Sequence, residues 1–205
     1  STLGMINIPQ KLVFATNNRH KFDEIRQIIG NSMDLLSLTD LGFSGEIPEE
    51  KNTLEGNAAQ KARYIYDKFG MDCFADDTGL EIEALQGEPG VFSARYAGPS
   101  CSFEDNMNLV LQRMKGKANR IARFRTVIAL VESGRLSVYN GEIKGIIISE
   151  KRGDKGFGYD PIFIPDGFST TFAEMTLEEK NRISHRTKAI EAFAQYFREK
   201  QVLQG

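Results

Sequence analysis

Apolar positions recur along the chain at two spacings, and their alternation sets the expected fold. Residues 11–15 (KLVFA) are a short apolar run that predicts a strand. It leads through Thr16-Asn17-Asn18 into Phe22, Ile25, Ile28 and Ile29, spaced for one face of a helix that Gly30 closes. Residues 34–38 suggest a second strand. Leu54, Ala58, Ala62 and Ile65 line one side of a helix over 53–69, with Gly70 as its stop. Strands are predicted over 71–75 and 80–85, on either side of an Asp76-Asp77-Thr78-Gly79 turn. The Pro- and Gly-punctuated stretch 88–100 reads as a loop, and Met107, Leu111 and Met114 as the stripe of a helix over 103–114. Two long β-rich runs, 121–132 and 136–149, flank the hairpin signal Ser133-Gly134-Arg135. A strand within 157–165 and an amphipathic helix over 185–200, carrying Ile190, Phe193, Ala194 and Phe197, complete the pattern. Helices alternate with strands early and a hairpin sits in the middle, so the class is α/β with a mixed β-sheet.

A chain of 205 residues suffices for one large domain or two lobes around a shared sheet, and no linker or repeat divides it. The formal net charge of −2 gives no global basic field for nucleic acid, so a polyanionic ligand must be met by local positive charge. Cys73 and Cys101 lack metal-type spacing, which points to a reduced, cytoplasmic protein without a zinc site or disulfide framework. No apolar run approaches the roughly 18 residues of a membrane span, and no leader pattern opens the chain. Residues 1–4, ahead of Met5, read as a cloning remnant, leaving one domain over 5–203.

Four segments could carry chemistry. Thr16-Asn17-Asn18-Arg19-His20-Lys21 sits at a strand-to-helix junction, where free N–H groups and the dipole suit phosphate oxygens. An Asn cap followed by a solvated Lys would look the same, and the glycines and Lys-Ser/Thr ending of a Walker A loop are missing. Glu46, Glu49 and Glu50, followed by Asp76-Asp77, form an acidic set, and short carboxylates at strand ends are common ligand sites in α/β proteins. Magnesium takes one or two such carboxylates and keeps waters and phosphate oxygens; an ordinary turn is the alternative. Gly156-Phe157-Gly158-Tyr159-Asp160-Pro161 places glycines around an aromatic ring that could stack on a flat ligand or pack in the core. Lys180 and Ser184-His185-Arg186 put basic donors at the start of the last helix, against its dipole, which favours an anionic or carbonyl-rich partner. A further basic run, Lys115, Lys117, Arg120, Arg123 and Arg125, lacks base-stacking aromatics beyond Phe124 and reads as a solvated edge rather than an RNA contact.

Together these segments resemble the inosine/xanthosine triphosphate pyrophosphatases, the Ham1-like or non-canonical purine NTP pyrophosphatases. The resemblance runs from about Leu12 to about Phe197. It is carried by ATNNRHK at 15–21, NAAQKAR at 57–63, FADDTGLEIEALQGEPGVFSARYAG at 74–98, FGYDPIF at 157–163 and LEEKNRISHR at 177–186. It implies a two-lobed fold with the active-site cleft between the lobes, a homodimer, and hydrolysis of ITP, dITP or XTP to the monophosphate and pyrophosphate with Mg2+. By the same resemblance Thr16, Asn17, Asn18 and Lys21 hold the triphosphate, with Thr78 near the phosphates. Asp77 binds magnesium and activates water, Asp76 stands beside it, and Lys61 is the cleft lysine. Glu49, or its neighbour Glu50, is the second metal ligand. Phe157 stacks on the purine within Gly158-Tyr159-Asp160, and Lys180, His185 and Arg186 read the base. One departure is that Asn17 and His20 replace loop glycines of the family, which would alter the backbone path if left-handed residues were needed there. Readings that remain open are a pyrophosphatase for another modified or pyrimidine triphosphate and a non-catalytic nucleotide-binding module.

Overall fold

The computed structural model describes residues 10–204, with side chains through 199; the segment read as a cloning remnant lies outside them. The elements are β1 (Lys11–Phe14), α1 (Arg19–Ile29), β2 (Asp34–Leu36), α2 (Leu54–Phe69), β3 (Cys73–Ile82) and α3 (Phe103–Met114). They are followed by β4 (Ile121–Glu132), β5 (Arg135–Ile147), β6 (Phe163–Pro165), α4 (Leu177–Asn181) and α5 (His185–Gln204). One mixed six-stranded sheet runs in the order β2-β1-β3-β4-β5-β6. Its first two pairings are parallel and the other three antiparallel. The α/β mixed-sheet expectation therefore holds.

Side-chain alternation along the long strands builds two lobes on this one sheet. Toward its β1 end, Phe74, Ile128 and Leu130 face α1 and α5, joining Phe14, Ile25, Ile190 and Phe193 in one core. The alternate residues Cys73, Ala75, Val127 and Ala129 face α2, against Ala58, Ala62 and Ile65. Toward the other end, Leu80, Ile82, Phe124, Ile143 and Ile147 join α3, Phe163 and Phe172 in a third core. Residues 76–79 of β3 lie between these packings.

That placement overturns one expectation. Asp76-Asp77-Thr78-Gly79 is no turn: β3 is continuous through it, with Asp76 opposite Ile128, Asp77 opposite Val127 and Thr78 opposite Thr126 on β4. A full antiparallel ladder with β4 holds the backbone extended, outweighing the turn preference of Asp, Thr and Gly. Three smaller corrections follow. The expected loop over 88–100 contains a 3-10 helix at Gly90–Arg95. Residues 157–162 are turn and 3-10 helix, and only Phe163–Pro165 is strand. Of the basic run, Lys115 and Lys117 are solvated ahead of β4 as expected, but Arg123 and Arg125 are not on an edge, because β4 is an interior strand. There Arg123 pairs with Glu81 and Glu142 and Arg125 pairs with Glu55 and Glu81, while Arg120, just ahead of the strand, donates to the Ile147 and Met114 carbonyls.

Candidate active site

The first site element is the β1–α1 junction. Asn18 caps α1, its Oδ1 accepting from the Lys21 N–H at 3.2 Å, while its own N–H donates to Thr16 Oγ1 at 3.0 Å. Asn17 turns away and donates to the Gly45 carbonyl at 2.8 Å. Positive φ outside glycine occurs, among the described residues, only at Gln86, Ser100 and Ser133. Neither Asn17 nor His20 therefore needs the left-handed backbone that a glycine would supply. His20 lies in the first turn of α1 and stacks on Phe157, with centroids 5.0 Å apart and planes at 12°.

Strand alternation sends the two aspartates to opposite faces of the sheet. Asp76, 1% exposed, faces α1 and α5, with Lys21 Nζ at 3.3 Å and Arg186 Nε at 3.8 Å from its Oδ2. The same oxygen accepts from the Thr78 hydroxyl at 2.9 Å. Burial raises the Asp76 pKa, but the charges of Lys21, Arg186 and Lys61 outweigh it and hold the carboxyl at about 2. Asp77 faces the α2 side and the cleft. Burial pushes it up to about 6, with Lys61 and Lys21 opposing and Glu49 and Asp76 adding to the rise. Asp76 Oδ1 and Asp77 Oδ2 are both buried without a hydrogen-bond partner.

Lys61 reaches from α2 to the Asp76 carbonyl at 2.5 Å and to Glu49 Oε1 at 2.6 Å. Asp76, Glu49 and Asp77 overcome the burial penalty and raise its pKa. Lys21 differs: burial dominates and lowers its pKa despite Asp76. Of the neighbouring glutamates, Glu49 lines the cleft, whereas Glu50 is exposed and bonded to Gln60.

The aromatic end is held by a buried ionic mesh that the sequence reading missed. Glu24 of α1, one helical turn past His20, accepts from both Lys180 Nζ and Arg186 Nη1, the latter at 2.5 Å. Lys180 Nζ also donates to Asp160 Oδ2 at 2.7 Å, and that oxygen accepts from the Phe157 N–H at 3.1 Å. A Cβ on Gly156 would come 2.2 Å from Asp160 Oδ2, so this glycine makes room for the carboxylate rather than for a ligand. Both cations lie 4.9 Å from the Phe157 centroid. His185 stacks on Phe124 at 4.9 Å, and burial, reinforced by Arg186 and Lys180, drives its pKa well below the ordinary value, leaving it neutral. Its Nδ1 and the Arg186 Nε are buried without a hydrogen-bond partner, the latter facing Asp76 Oδ2 at ion-pair distance. Tyr159 is anchored, its hydroxyl donating to the Ser93 carbonyl at 2.6 Å.

Asn18, Lys21, Glu49, Asp77, Thr78, Phe157, Gly158, Tyr159, Asp160, His185 and Arg186 thus line one cleft. Asp76, Lys61 and Lys180 stand behind its wall as supports, and Thr16 and Asn17 shape the approach to α1. Phe103, Phe124, Ser93 and Arg95 line it too, without having been singled out. Glu24 and Phe103 carried only the signal of an unremarkable helix pattern.

Cations held by carboxylates at mid-strand, open acid oxygens and adjoining aromatic rings define an α/β protein shaped for a flat ligand with an anionic tail. The comparisons give that class a family. The chain belongs to the Ham1 family, whose model matches residues 12–196. It is 51% identical over 188 residues to a dITP/XTP pyrophosphatase of Flavobacterium psychrophilum, covering 92% of this chain and 99% of that protein. A dITP/XTP pyrophosphatase of Porphyromonas gingivalis is 48% identical over 182 residues, covering 88% of this chain and 94% of that protein. Among solved structures, a HAM1 protein from Coxiella burnetii superposes with a TM-score of 0.85 at 35% identity, covering 93% of this chain and 99% of that one.

The raised pKa of Asp77 has a consequence for stability. An acid whose folded pKa, about 6, exceeds its ordinary 3.8 favours the fold while protonated and opposes it once ionised. The penalty grows between those values and is complete above the upper one, reaching at most about 3 kcal/mol. Asp77→Asn is therefore expected to raise the Tm of metal-free protein at about pH 8 and to change it little near pH 4. Calorimetry in chelator checks this; a lowered Tm at the higher pH would contradict it.

Proposed function

We propose that the chain hydrolyses non-canonical purine nucleoside triphosphates of the ITP, dITP and XTP kind to the monophosphate and pyrophosphate, cleansing the nucleotide pool. One observation carries this reading: Asp77 lines the cleft with a buried Oδ2 that has no hydrogen-bond partner, while Asp76 behind the wall is already met by Lys21 and Arg186. Buried polar atoms normally find partners, so this arrangement suits a ligand that arrives with positive charge of its own. A triphosphate carrying a divalent cation is such a ligand, and the relatives are named for triphosphate substrates.

Glu49 and Asp77 are the side chains that would hold magnesium. Among the described residues no group of three or more His, Cys, Asp or Glu forms a metal cage, and magnesium needs only one or two carboxylates beside water and phosphate oxygens. When bound, it neutralises phosphate charge and polarises the phosphoryl oxygens. The chain's own groups do the positioning that phosphoryl transfer depends on. The N-terminus of α1 with Asn18 receives phosphate oxygens, and Lys21, supported by Lys61, offsets their charge. Asp77 accepts a proton from the attacking water, whose oxygen bonds to the α-phosphorus. The bond from that phosphorus to the bridging oxygen breaks, and pyrophosphate leaves with the electron pair.

Phe157, backed by His20, offers its ring to the purine. Arg186 lines the cleft, its guanidinium 4.9 Å from the Phe157 centroid, and a donor-only group there suits the 6-carbonyl of hypoxanthine or xanthine and opposes the 6-amino group of adenine. Lys180 already has Glu24 and Asp160 as partners, so its part is to hold Phe157 and Arg186 in place, with His185 closing the end of the slot. No helix among the described residues is long and apolar enough to cross a membrane. Assembly as a homodimer suits the exposed Ile121 and Ile146, which pair across β4 and β5.

A panel of purine and pyrimidine triphosphates with pyrophosphate detection tests the function. Release is expected from dITP, ITP and XTP; a pyrimidine preference, or binding without release, would support one of the other readings. Asp77→Asn should lower kcat by roughly 10²–10⁴, the range of general-base catalysis, while the protein stays folded. Retention of more than about a tenth of the wild-type rate would remove Asp77 from that role. Arg186→Ala should depress dITP turnover more than dATP turnover by roughly the 1–3 kcal/mol of a buried contact, whereas equal losses would assign it to the phosphates or the fold. Light scattering should give twice the 23.0 kDa chain mass, and a monomer at micromolar concentration would count against the dimer.

A further inference from the structure

The buried ion pairs of the cleft leave it short of positive charge. Lys21 is held by Asp76, Lys61 by Glu49, Arg186 by Glu24, and Lys180 by Glu24 and Asp160. These four cations meet four carboxylates, and Asp77 adds a fifth. A triphosphate brings several negative charges into this balanced site, and one divalent cation offsets only two of them.

Arg95 stands apart from that balance. It lines the same cleft and is half-buried, yet among the described residues its guanidinium has no carboxylate and no hydrogen-bond acceptor. Its one recorded contact is with the exposed ring of Phe92, the Cζ lying 5.2 Å from the centroid. An exposed cation–π contact is weak, and a charge-assisted bond to phosphate exceeds it.

Its place in the fold indicates which part of a ligand it meets. Arg95 ends the 3-10 helix that begins at Gly90. A Cβ on Gly79 would lie 2.6 Å from the Gly90 carbonyl, so this helix packs directly on β3 where only glycine permits the approach. Gly79 and Asp77 are two residues apart on β3 and share a face. The Ser93 hydroxyl fixes the segment further, accepting from the Leu80 N–H at 2.9 Å and donating to the Gly90 carbonyl at 2.6 Å. The helix bearing Arg95 is therefore pinned to the Asp77 face of β3, while Asp76, facing the opposite way, meets the Lys21 and Arg186 side.

We propose that Arg95 is a substrate-binding residue whose guanidinium leaves Phe92 to hold the outer phosphates, the ones released as pyrophosphate. The inference rests on the triphosphate pyrophosphatase reading above. A planar guanidinium gives paired donors to phosphate oxygens and stays charged throughout, which suits it to grip the leaving group without exchanging a proton.

The test compares wild type with Arg95→Met and Arg95→Lys in dITP hydrolysis, with inorganic pyrophosphate and IMP as competing inhibitors. Arg95→Met is expected to raise KM for dITP and to weaken pyrophosphate inhibition, each by about ten- to a hundredfold, the range of a hydrogen bond to a charged group. IMP inhibition and Tm should stay at wild-type values, and Arg95→Lys should recover part of both losses. Unchanged KM and pyrophosphate inhibition in an active Arg95→Met enzyme would overturn the assignment while leaving the proposed reaction intact. Equal weakening of IMP and pyrophosphate, or a fallen Tm, would also overturn it by placing Arg95 in the wall's packing. Wild-type protein that releases pyrophosphate from no purine triphosphate would overturn the reaction itself, and the role of Arg95 with it.

Discussion

Asp76 is ionised at the centre of the molecule, almost wholly removed from water, and the site around it is arranged to keep it so. Lys21 arrives from α1, Arg186 from α5 and Lys61 from α2, and their fields outweigh the burial that would protonate the carboxyl. Arg186 is held in turn by Glu24, which shares Lys180 with Asp160 and so reaches the turn carrying Phe157. Buried ion pairs add little net stability because desolvation offsets attraction, yet removing one partner strands the other at a cost of roughly 3–5 kcal/mol. The mesh therefore acts on geometry: the helices on the α1–α5 face must take up one relative arrangement or leave a charge unpaired.

Asp77 obeys the opposite rule although it is the next residue. The extended ladder with β4 turns it to the other face, where Lys61 is shared with Glu49 and the surroundings fail to offset burial. One carboxylate is compensated by the protein and the other is not. A pair of adjacent acids in a turn could not be separated in this way, because a turn lets both side chains reach solvent. The continuous strand creates the asymmetry on which the proposed division of labour between Asp76 and Asp77 depends.

The aromatic end shows the same economy of support. Phe157 sits in a tight turn whose N–H and neighbouring glycine both serve the Asp160 carboxylate, with His20 against its ring. A ring fixed on several sides presents one face at low entropic cost, which favours stacking on a flat base. Two lobes that share strands, rather than meeting through a hinge of loops, keep this platform at a set distance from the aspartates.

By itself the sequence determined the fold class and most element positions, and it singled out many of the residues that line the cleft. Apolar periodicity in α1, α2, α3 and the β4–β5 hairpin marks faces that must be buried, and that signal is local. Most of the singled-out residues that gather in the cleft fall within the five motif blocks, with Glu49 outside them. What was not legible depended on pairing between distant segments. The Asp76-Asp77-Thr78-Gly79 stretch has the composition of a turn, and only the facing residues of β4 hold it extended. Glu24 looks like an ordinary helix-surface acid until α5 and α4 bring Arg186 and Lys180 onto it across more than 150 residues. The basic residues around Arg123 and Arg125 lost their apparent freedom for the same reason, since Glu55, Glu81 and Glu142 reach them only in the folded sheet. Charge on a side chain is written in the sequence, but whether that charge is compensated is a property of its neighbours in space, and those the tertiary structure alone decided.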